Sequence, residues 1–354
     1  MQLHSTRVLS KCSSFEVGRG FSTRVAALLG TGPRHDLRSQ IEKLEALTTA
    51  SSRPDIVADL SYAHHDPDPL WRHILDRTCF AAGTLPIYRC SRQNERIDRG
   101  ELADIAIEQM EAGVSIITIH PTPTHELVSL AQSRLVPWTS RGGGIVIKDL
   151  LASRTWSNVY EDILPVLVST AKRTGTIISI GTSFRSANVF DACDSVHWRE
   201  IESQIRFADQ IADNGVGVII EAPGHVKPGD IRRICSPLAA AGYPVMPLGP
   251  MPTDIGFEQD HVAAAIGATL MGLQGCAQIL AAVTREEHTG SVPGLASTLE
   301  AVACARLAAH IVDLELLGSD DQDRATATRR AQARTCVVGK ATRGCSRCSN
   351  LCPL

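Results

Sequence analysis

Short, almost uninterrupted apolar runs alternate with longer stretches of helical periodicity from residue 39 onward. Apolar runs without alternating polar positions are typical of strands buried on both faces of a parallel sheet, and the periodic stretches are typical of the helices that cover it. Strands are predicted at Ile56–Ser61, Leu85–Arg89, Ser115–His120, Leu135–Thr139, Thr176–Gly181, Val216–Glu221, Tyr243–Leu248 and Ala277–Val283. Helices are predicted around residues 67–79, 100–112, 123–133, 145–173, 196–213, 228–241 and 260–272.

This alternation places the chain in the α/β class. Eight parallel strands, each followed by a helix, predict a (β/α)8 TIM-type barrel, and a doubly wound open sheet is the alternative. No Gly-x-Gly-x-x-Gly turn follows the first predicted strand, which disfavours a dinucleotide-binding sheet. We therefore predict an N-terminal segment over residues 1–38, a barrel catalytic domain over 39–294, and a C-terminal helical arm with a cysteine-rich tail over 295–354.

Composition narrows the range of functions. The 354 residues are 44% hydrophobic and 21% charged, the balance of a soluble globular protein with one large domain and an appendage. A net charge of −3 argues against nucleic-acid binding, and no uninterrupted apolar run reaches the roughly 18 residues of a membrane helix. Residues 1–35 are basic, with Glu16 as their only acid, as in transit peptides. Because residues 17–20 lead into an alternating stretch, we favour the start of the folded domain.

The chain ends in a cluster of cysteines. Cys345, Cys348 and Cys352 form a C-x2-C-x3-C run followed by a proline, while the other eight of the eleven cysteines are scattered. This distribution indicates a reducing cytoplasm and one metal site rather than a disulfide framework. Three thiolates would cover three irons of a four-iron cube and leave the fourth open to a small molecule. A zinc knuckle completed by another residue, such as Cys336, is equally compatible with the spacing.

Polar, turn-forming residues follow the predicted strands. TIM-barrel enzymes build their active sites at the C-terminal ends of the strands, so these positions form the candidate site. After the fourth predicted strand, Ser140 and Arg141 are followed by three glycines, Gly142 and the two residues after it. Bare backbone N–H groups beside a guanidinium suit a phosphate. Arg185, after the fifth strand, is a second candidate anion contact. A flexible loop and a surface arginine are the plainer alternatives for these two stretches.

Histidines and a carboxylate lie beyond two later strands. Glu221 and His225 bracket a Pro-Gly turn after the sixth predicted strand, and His288 follows the eighth. Two imidazoles with a nearby carboxylate could hold one divalent metal ion, although a histidine is more often a hydrogen-bonded core or surface residue. Asp260 opens a predicted helix and is interpreted as a candidate cap.

The ordered set of motifs resembles a known enzyme family. The motifs are Ile117-Thr-Ile-His120, Ser140-Arg-Gly-Gly143, Glu221-Ala-Pro-Gly-His225, Leu248-Gly-Pro followed by Thr253-Asp-Ile, Val283-Thr284 through Glu287-His288, and the three-cysteine tail. They are similar to those of the radical S-adenosylmethionine enzymes of the phosphomethylpyrimidine synthase superfamily, which make the thiamine pyrimidine from aminoimidazole ribotide. Within it, the stretches 181–188, 246–250 and 284–290 and the tail ending are most similar to the 5-hydroxybenzimidazole synthases. These convert the same ribotide to the precursor of the lower ligand of anaerobic cobalamin.

The resemblance implies a role for each matching residue. Cys345, Cys348 and Cys352 would hold a [4Fe-4S] cluster that binds S-adenosylmethionine, and one electron from an external electron donor would yield a 5′-deoxyadenosyl radical. His225 and His288 would bind a divalent metal, zinc or iron. Catalytic Glu221 would contact the aminoimidazole ribotide, together with Tyr88, His120, Ser140, Arg141, Gly142, Thr182, Ser183, Phe184 and Arg185. The resemblance also implies a homodimer whose tail closes over a barrel mouth.

Two positions depart from the family pattern. Leu28 stands where relatives have a substrate-binding asparagine, and Ala58 stands where they have a methionine. Replacing an amide by an alkyl group could cost on the order of 1–3 kcal/mol of substrate recognition. We expect a 5-hydroxybenzimidazole synthase-like carbon–carbon lyase, with phosphomethylpyrimidine synthase as the alternative. A catalytically silent barrel with a structural zinc or cluster tail is the further alternative.

Overall fold

The computed structural model describes residues 3–33, 36–62, 68–90, 96–153, 157–337, 348 and 351. Within these ranges the strands are β1 (Thr6–Leu9), β2 (Ser14–Val17), β3 (Arg24–Leu29), β4 (Ile56–Asp59), β5 (Ala81–Thr84), β6 (Ile116–Ile119), β7 (Ile177–Ile180), β8 (Val218–Glu221), β9 (Val245–Met246) and β10 (Ile279–Ala281). The helices are α1 (Leu37–Thr49), α2 (Leu70–Arg77), α3 (Ile87–Cys90), α4 (Arg99–Glu111), α5 (His125–Ala131), α6 (Arg141–Ala152), α7 (Leu164–Thr174), α8 (Ser195–Ala212), α9 (Pro228–Ala241), α10 (Asp260–Gly272), α11 (Leu295–Leu317) and α12 (Asp321–Ala333).

Eight parallel strands form a nearly closed barrel with helices around it. The strand order is β10-β3-β4-β5-β6-β7-β8-β9, and every neighbouring pair is parallel. The two end strands also meet: the Gln278 N–H donates to the Val245 carbonyl at 2.8 Å, and the Gln278 side-chain oxygen accepts from the Val245 N–H at 2.8 Å. The predicted α/β barrel is therefore confirmed, and the C-terminal ends of its strands lie at one rim.

Six predicted strands contain an observed one, namely β4, β6, β7, β8, β9 and β10. Two other predicted strands are wrong. Leu85–Arg89 is not a strand, because Pro86 leads into the short helix α3, and the strand lies just before it in a stretch of small residues. Leu135–Thr139 lies in a loop, where a proline removes one backbone donor and Asp191 accepts the Leu135 N–H at 3.0 Å.

The strand β3 lies inside the segment 1–38 that we expected to precede the barrel. It pairs with β10 on one side and β4 on the other, so the sheet already begins within that segment. β3 has the sequence RVAALL, an apolar run that lies before residue 39, where the predicted strands begin. β5, in contrast, has the sequence AAGT, and packing inside the barrel rather than intrinsic propensity makes these small residues a strand.

The barrel interior has an apolar layer and a more polar layer. At the N-terminal ends of the strands, inward side chains pack with the antiparallel β1–β2 hairpin in one cluster: Val8, Phe15, Val17, Ala26, Ile56, Ala81, Ile116, Ile177, Ile219 and Ile279. Strand side chains alternate between faces, so the next inward layer lies two residues further along. That layer contains Leu28, Ala58, Gly83, Thr118, Ser179 and Glu221. Most of these side chains are small or polar, as expected for the floor of a ligand site.

Two of the scattered cysteines are paired. Cys12, in the turn of the β1–β2 hairpin, forms a disulfide with Cys79, just after α2, with their Cα atoms 5.3 Å apart. The Lys11 ammonium also donates to the Asp76 carbonyl at 2.8 Å, so two links attach the hairpin to this region. The sequence argued against a disulfide framework and did not indicate this single pair, because the two residues are 67 positions apart and only the fold brings them together.

Helix α11 packs along α10 and against the barrel. Its Asp313 carboxylate accepts the Thr23 N–H at 2.9 Å and the Thr23 hydroxyl at 2.7 Å, directly before β3. By length and composition alone this 23-residue helix is apolar enough to cross a membrane, although polar residues interrupt its apolar positions. Core helices of soluble proteins pass the same test. Helix α12, in contrast, has no buried residue.

Candidate active site

Glu221 lies at the C-terminal end of β8, inside the barrel. One of its carboxylate oxygens accepts hydrogen bonds from the Thr118 and Ser179 hydroxyls, each at 3.2 Å. Burial raises the pKa of the Glu221 carboxyl, and the positive charge of Arg185 and these hydrogen bonds oppose the rise. The Glu221 carbonyl accepts from Thr182 Oγ1 at 2.6 Å, which attaches the loop after β7 to this strand. Glu221 can therefore accept a hydrogen bond or a proton in a desolvated pocket.

His120 follows β6 and lies between two glycines. A Cβ atom at Gly142 would lie 2.3 Å from His120 Cε1, and one at Gly181 would lie 2.5 Å from His120 Nε2. Burial lowers the pKa of His120 to about 3, with the charge of Arg185 acting in the same direction, so the ring is neutral at physiological pH. Ser140 Oγ is 3.4 Å from Nε2, whereas the buried Nδ1 has no hydrogen-bond partner among the described residues. A polar ligand atom could satisfy it.

The close approach of Gly142 to His120 can be tested by stability measurements. Gly142→Ala should displace the His120 ring and destabilise the fold by about 1–3 kcal/mol, the usual cost of overpacking a core. Gly144→Ala in the same helix is the matched control, because its Cβ would meet Trp138 at an ordinary 3.8 Å and alanine favours the helix. Chemical denaturation should give changes of opposite sign in the free energy of unfolding. Equal changes would show that Gly142 is not packed tightly on the histidine.

Ser140 and Arg141 begin a helix. Ser140 is the N-cap of α6, its Oγ accepting the Gly143 N–H at 3.1 Å, so the glycines lie in the first turn and the alternative of a flexible loop is wrong. The Gly143 N–H is satisfied by this cap, and the Gly142 N–H hydrogen-bonds to Tyr88, so the Arg141 guanidinium is the donor of this turn that can meet an anion. The Arg141 guanidinium lies over the Tyr62 and Tyr88 rings, 5.4 and 5.5 Å from their centroids. Burial raises the pKa of the Tyr88 hydroxyl, which therefore stays protonated.

Arg185 is the central positive charge of the rim. Its charge lowers the pKa values of four groups, namely Tyr88, His120, Glu221 and His225, which places the guanidinium near all of them. Within the part of the chain that the structure describes, no carboxylate forms an ion pair with Arg185. A guanidinium that forms no ion pair, at the rim of the barrel, is suited to an anionic ligand.

Ser183 and Phe184 are held by residues that the sequence patterns did not single out. The Glu200 carboxylate on α8 accepts the Ser183 N–H at 2.7 Å and the Phe184 N–H at 2.8 Å. Arg134 donates to the Phe184 carbonyl at 2.6 Å, and the fully buried Phe184 ring meets the Trp138 ring edge-on at 6.4 Å between centroids. Both backbone groups of Phe184 are thus engaged within the protein, and its contact with a substrate stays a prediction.

His225 and His288 face each other. Their Nε2 atoms are 3.1 Å apart, while His225 Nδ1 lies 2.6 Å from an Asp254 oxygen and His288 Nδ1 lies 2.7 Å from an Asp260 oxygen. Asp260 is therefore not the helix cap expected from sequence, a position that Gln259 occupies. Carboxylates on both Nδ1 atoms leave both Nε2 atoms available to one ion. Over the described ranges, no group of three or more His, Cys, Asp or Glu side chains could hold a metal, so metal binding here stays a prediction.

Of the three tail cysteines, Cys348 alone lies within the described residues, with an unpaired, half-buried thiol. Cys345 and Cys352 lie outside them, so the predicted three-cysteine ligand set stays a prediction. Cys336, the candidate fourth ligand of a zinc knuckle, is exposed and unpaired.

Comparisons with known proteins agree with the motifs. Residues 4–353 match the family described as the Radical SAM ThiC family. Phosphomethylpyrimidine synthase from Pyrobaculum aerophilum is 32% identical over 321 residues, which cover 85% of this chain and 71% of the relative. The protein of the same name from Moorella thermoacetica is 31% identical over 334 residues, which cover 89% and 74%. A solved structure of Yersinia pestis DHPS covers 85% of this chain and 98% of its own, with 10% identity and a TM-score of 0.48, too low to bear on function.

The family match includes the barrel strands, the rim residues and the C-terminal cysteines together. A barrel alone would not identify a function, because the same fold supports many chemistries. A radical SAM family implies S-adenosylmethionine and an iron–sulfur cluster as cofactors. With almost its whole length matched and relatives above 30% identity, this chain belongs to the Radical SAM ThiC family.

Proposed function

We propose that this protein converts aminoimidazole ribotide to the phosphomethylpyrimidine of thiamine by radical S-adenosylmethionine chemistry. The observation that carries the proposal is the rim of the barrel, where Arg185, without a carboxylate partner, lies among Tyr88, His120 and Glu221. The relatives at 32% and 31% identity are named for this activity. Their names favour it over the 5-hydroxybenzimidazole product expected from the sequence motifs.

The polar groups of the rim suit a phosphorylated imidazole. The guanidinium groups of Arg141 and Arg185 can bind phosphate oxygens in a bidentate manner. The neutral His120 and the buried Glu221 can exchange hydrogen bonds with the ring and amino nitrogens. A carbon radical must be kept from water, and both side chains are almost fully buried.

One side of the proposed pocket is apolar. Leu28 and Ala58 are direct partners in the β3–β4 register and belong to the inward layer beside Gly83. The two departures from the family pattern therefore form one continuous patch. A ribotide bound against it would lack a directed hydrogen bond on that side, which would weaken recognition by about 1–3 kcal/mol relative to a site with an amide.

A second product, 5-hydroxybenzimidazole, is favoured by the stretch 181–188 and the C-x2-C-x3-C tail. Both products start from the same ribotide, so the same anion-binding rim serves either reaction. The identity of the product has to be measured.

The residues that would hold the cluster are Cys345, Cys348 and Cys352. Three thiolates fit a four-iron cluster with one iron free for S-adenosylmethionine. When bound, the cluster would supply one-electron reduction of S-adenosylmethionine, with an external donor as the source of the electron and methionine and the 5′-deoxyadenosyl radical as the two fragments. The chain's own part is to hold the ribotide at the rim and to exclude water from it.

We also propose that His225 and His288 bind one divalent metal ion, zinc or iron. Facing Nε2 atoms with carboxylate-bound Nδ1 atoms are the usual arrangement of imidazole ligands. Two protein ligands leave coordination positions open, where the ion could polarise a ligand oxygen.

Removing the carboxylate that hydrogen-bonds to His225 should weaken metal binding, although both proposed metal ligands remain. Asp254→Asn should lower Co²⁺ affinity about 10–100-fold, because the carboxylate orients His225 and raises its basicity. Co²⁺ absorption separates this site from the cysteine tail, since only thiolates give intense sulfur-to-metal bands. Asp323→Asn is the matched control, because Asp323 lies 2.6 Å from His310 Nε2 on α11, away from the rim. Equal affinities for the two variants would contradict the metal site.

The proposed function is tested by anaerobic reconstitution. Purified protein with iron and sulfide is mixed with aminoimidazole ribotide, S-adenosylmethionine and a strong reductant. Mass spectrometry should find 5′-deoxyadenosine and the phosphomethylpyrimidine. A fluorescent benzimidazole in its place would establish the second product. The absence of 5′-deoxyadenosine under all reducing conditions would contradict the proposal and favour the catalytically silent barrel.

A further inference from the structure

Glu200 is a deeply buried carboxylate in the middle of α8. It is 1% exposed and accepts three hydrogen bonds: from the Ser183 N–H at 2.7 Å, the Phe184 N–H at 2.8 Å and Thr122 Oγ1 at 2.8 Å. Burying a carboxylate costs several kcal/mol unless such donors compensate it. Both backbone donors come from the segment that directly precedes Arg185, so the carboxylate acts on the rim loop.

The same segment is held from its other side. Arg134 donates to the Phe184 carbonyl at 2.6 Å and is itself fixed by two bonds of 2.7 Å to the Asp194 carboxylate. Arg185, in contrast, has no carboxylate partner in the described parts of the chain. The position of its guanidinium therefore depends on the backbone that carries it.

We propose that Glu200 is a positioning residue, which fixes the Ser183–Phe184 backbone and thereby holds the Arg185 guanidinium where an anionic substrate binds. This inference rests on the proposed function only in naming the ribotide as that anion. A glutamine could not replace Glu200, because its amide nitrogen is a donor and would oppose one of the two N–H groups.

Protonation of Glu200 should loosen the loop. Burial raises the pKa of Glu200 to about 7, while the three hydrogen bonds and the charge of Arg134 oppose the rise. His197, three residues earlier on α8, is also buried, and burial lowers its pKa to about 4, so it is neutral in this pH range. Only the ionised carboxylate can accept all three hydrogen bonds. The loop is thus held firmly above the pKa and less firmly below it, so affinity for the ribotide should rise with pH through this range.

The experiment compares ribotide binding by wild type, Glu200→Gln and Glu202→Gln, using calorimetry without reductant. Glu202 is on the same helix but exposed, so its variant should bind like wild type. Glu200→Gln should bind about tenfold more weakly at about pH 8 and equally at about pH 6, where the wild-type residue is mostly protonated. The ribotide phosphate also ionises in this pH range, but its ionisation affects both proteins equally. It therefore cancels in the ratio of the wild-type affinity to the Glu200→Gln affinity at each pH. A merely structural role would lower the melting temperature without this pH dependence.

Amide hydrogen exchange separates this inference from the proposed function. The Ser183 and Phe184 amides should exchange faster in Glu200→Gln than in wild type, whichever ligand the protein binds. If Glu200→Gln does not fold, Thr122→Val removes one donor and should move the midpoint of the wild-type pH dependence upward, because the Thr122 hydrogen bond lowers the pKa of Glu200. Unchanged exchange, or a ribotide affinity of Glu200→Gln that equals the wild-type affinity at about pH 8 as well as at about pH 6, would overturn the inference. Failure of wild type to bind the ribotide, with faster exchange in the variant, would overturn the proposed function instead.

Discussion

Cys348→Ala should abolish formation of 5′-deoxyadenosine while the barrel stays folded. A four-iron cluster that leaves one iron open needs three thiolates, and two remaining cysteines cannot hold it. The barrel core does not depend on the tail, because α12, which leads to it, has no buried residue. Iron content and 5′-deoxyadenosine should fall to background, whereas the far-ultraviolet circular dichroism and the melting temperature should match wild type.

Cys336→Ala is the control that separates cluster from zinc. In the three-cysteine cluster, Cys336 has no role, and its exposed thiol can be removed without loss of iron. In a zinc knuckle, Cys336 would be the fourth ligand, and both variants would lose one equivalent of zinc. Full turnover by Cys348→Ala would show that the tail cysteines do not hold a cluster that the reaction needs.

The sequence predicted the barrel because strands in a parallel sheet are buried on both faces, and Ile116–Ile119, Ile177–Ile180 and Val218–Glu221 are apolar enough to be found. It missed β3, because this apolar strand lies in the segment that was assigned to precede the barrel, and β5, because its residues are small. Small residues suit the crowded barrel interior but give no periodic signal. The helix at Ser140 was missed because three glycines favour a loop locally, and a side-chain N-cap and packing against His120 outweigh that preference.

Single residues at strand ends were predictable, but their partners were not. His225 and His288 were found from their positions after strands, whereas their hydrogen bonds to Asp254 and Asp260 join residues 29 and 28 positions apart. Glu200 lies in a helical stretch in which one acid among several gives no sign of its contacts. Contacts of this kind follow from the closed geometry of the barrel rather than from local sequence.

Arg185→Gln should reduce ribotide affinity by about a hundredfold or more, because two charge-assisted hydrogen bonds to phosphate are each worth about 1.5–3 kcal/mol. Calorimetry on the protein without reductant measures this directly. The matched control is Arg199→Gln, since Arg199 is an exposed arginine on α8 that pairs with Glu126 rather than facing the rim. That variant should bind the ribotide like wild type.

Stability distinguishes a binding role of Arg185 from a structural one. Arg185 forms no ion pair with the described residues, so its replacement should change the melting temperature little, in contrast to Glu200→Gln, which removes a buried hydrogen-bond acceptor. Loss of the positive charge should also let the pKa values of His120 and Glu221 rise, and burial would still keep His120 neutral. Undiminished affinity in Arg185→Gln would mean that Arg141, rather than Arg185, holds the phosphate. A fall in both affinity and melting temperature would show that the guanidinium is part of the scaffold.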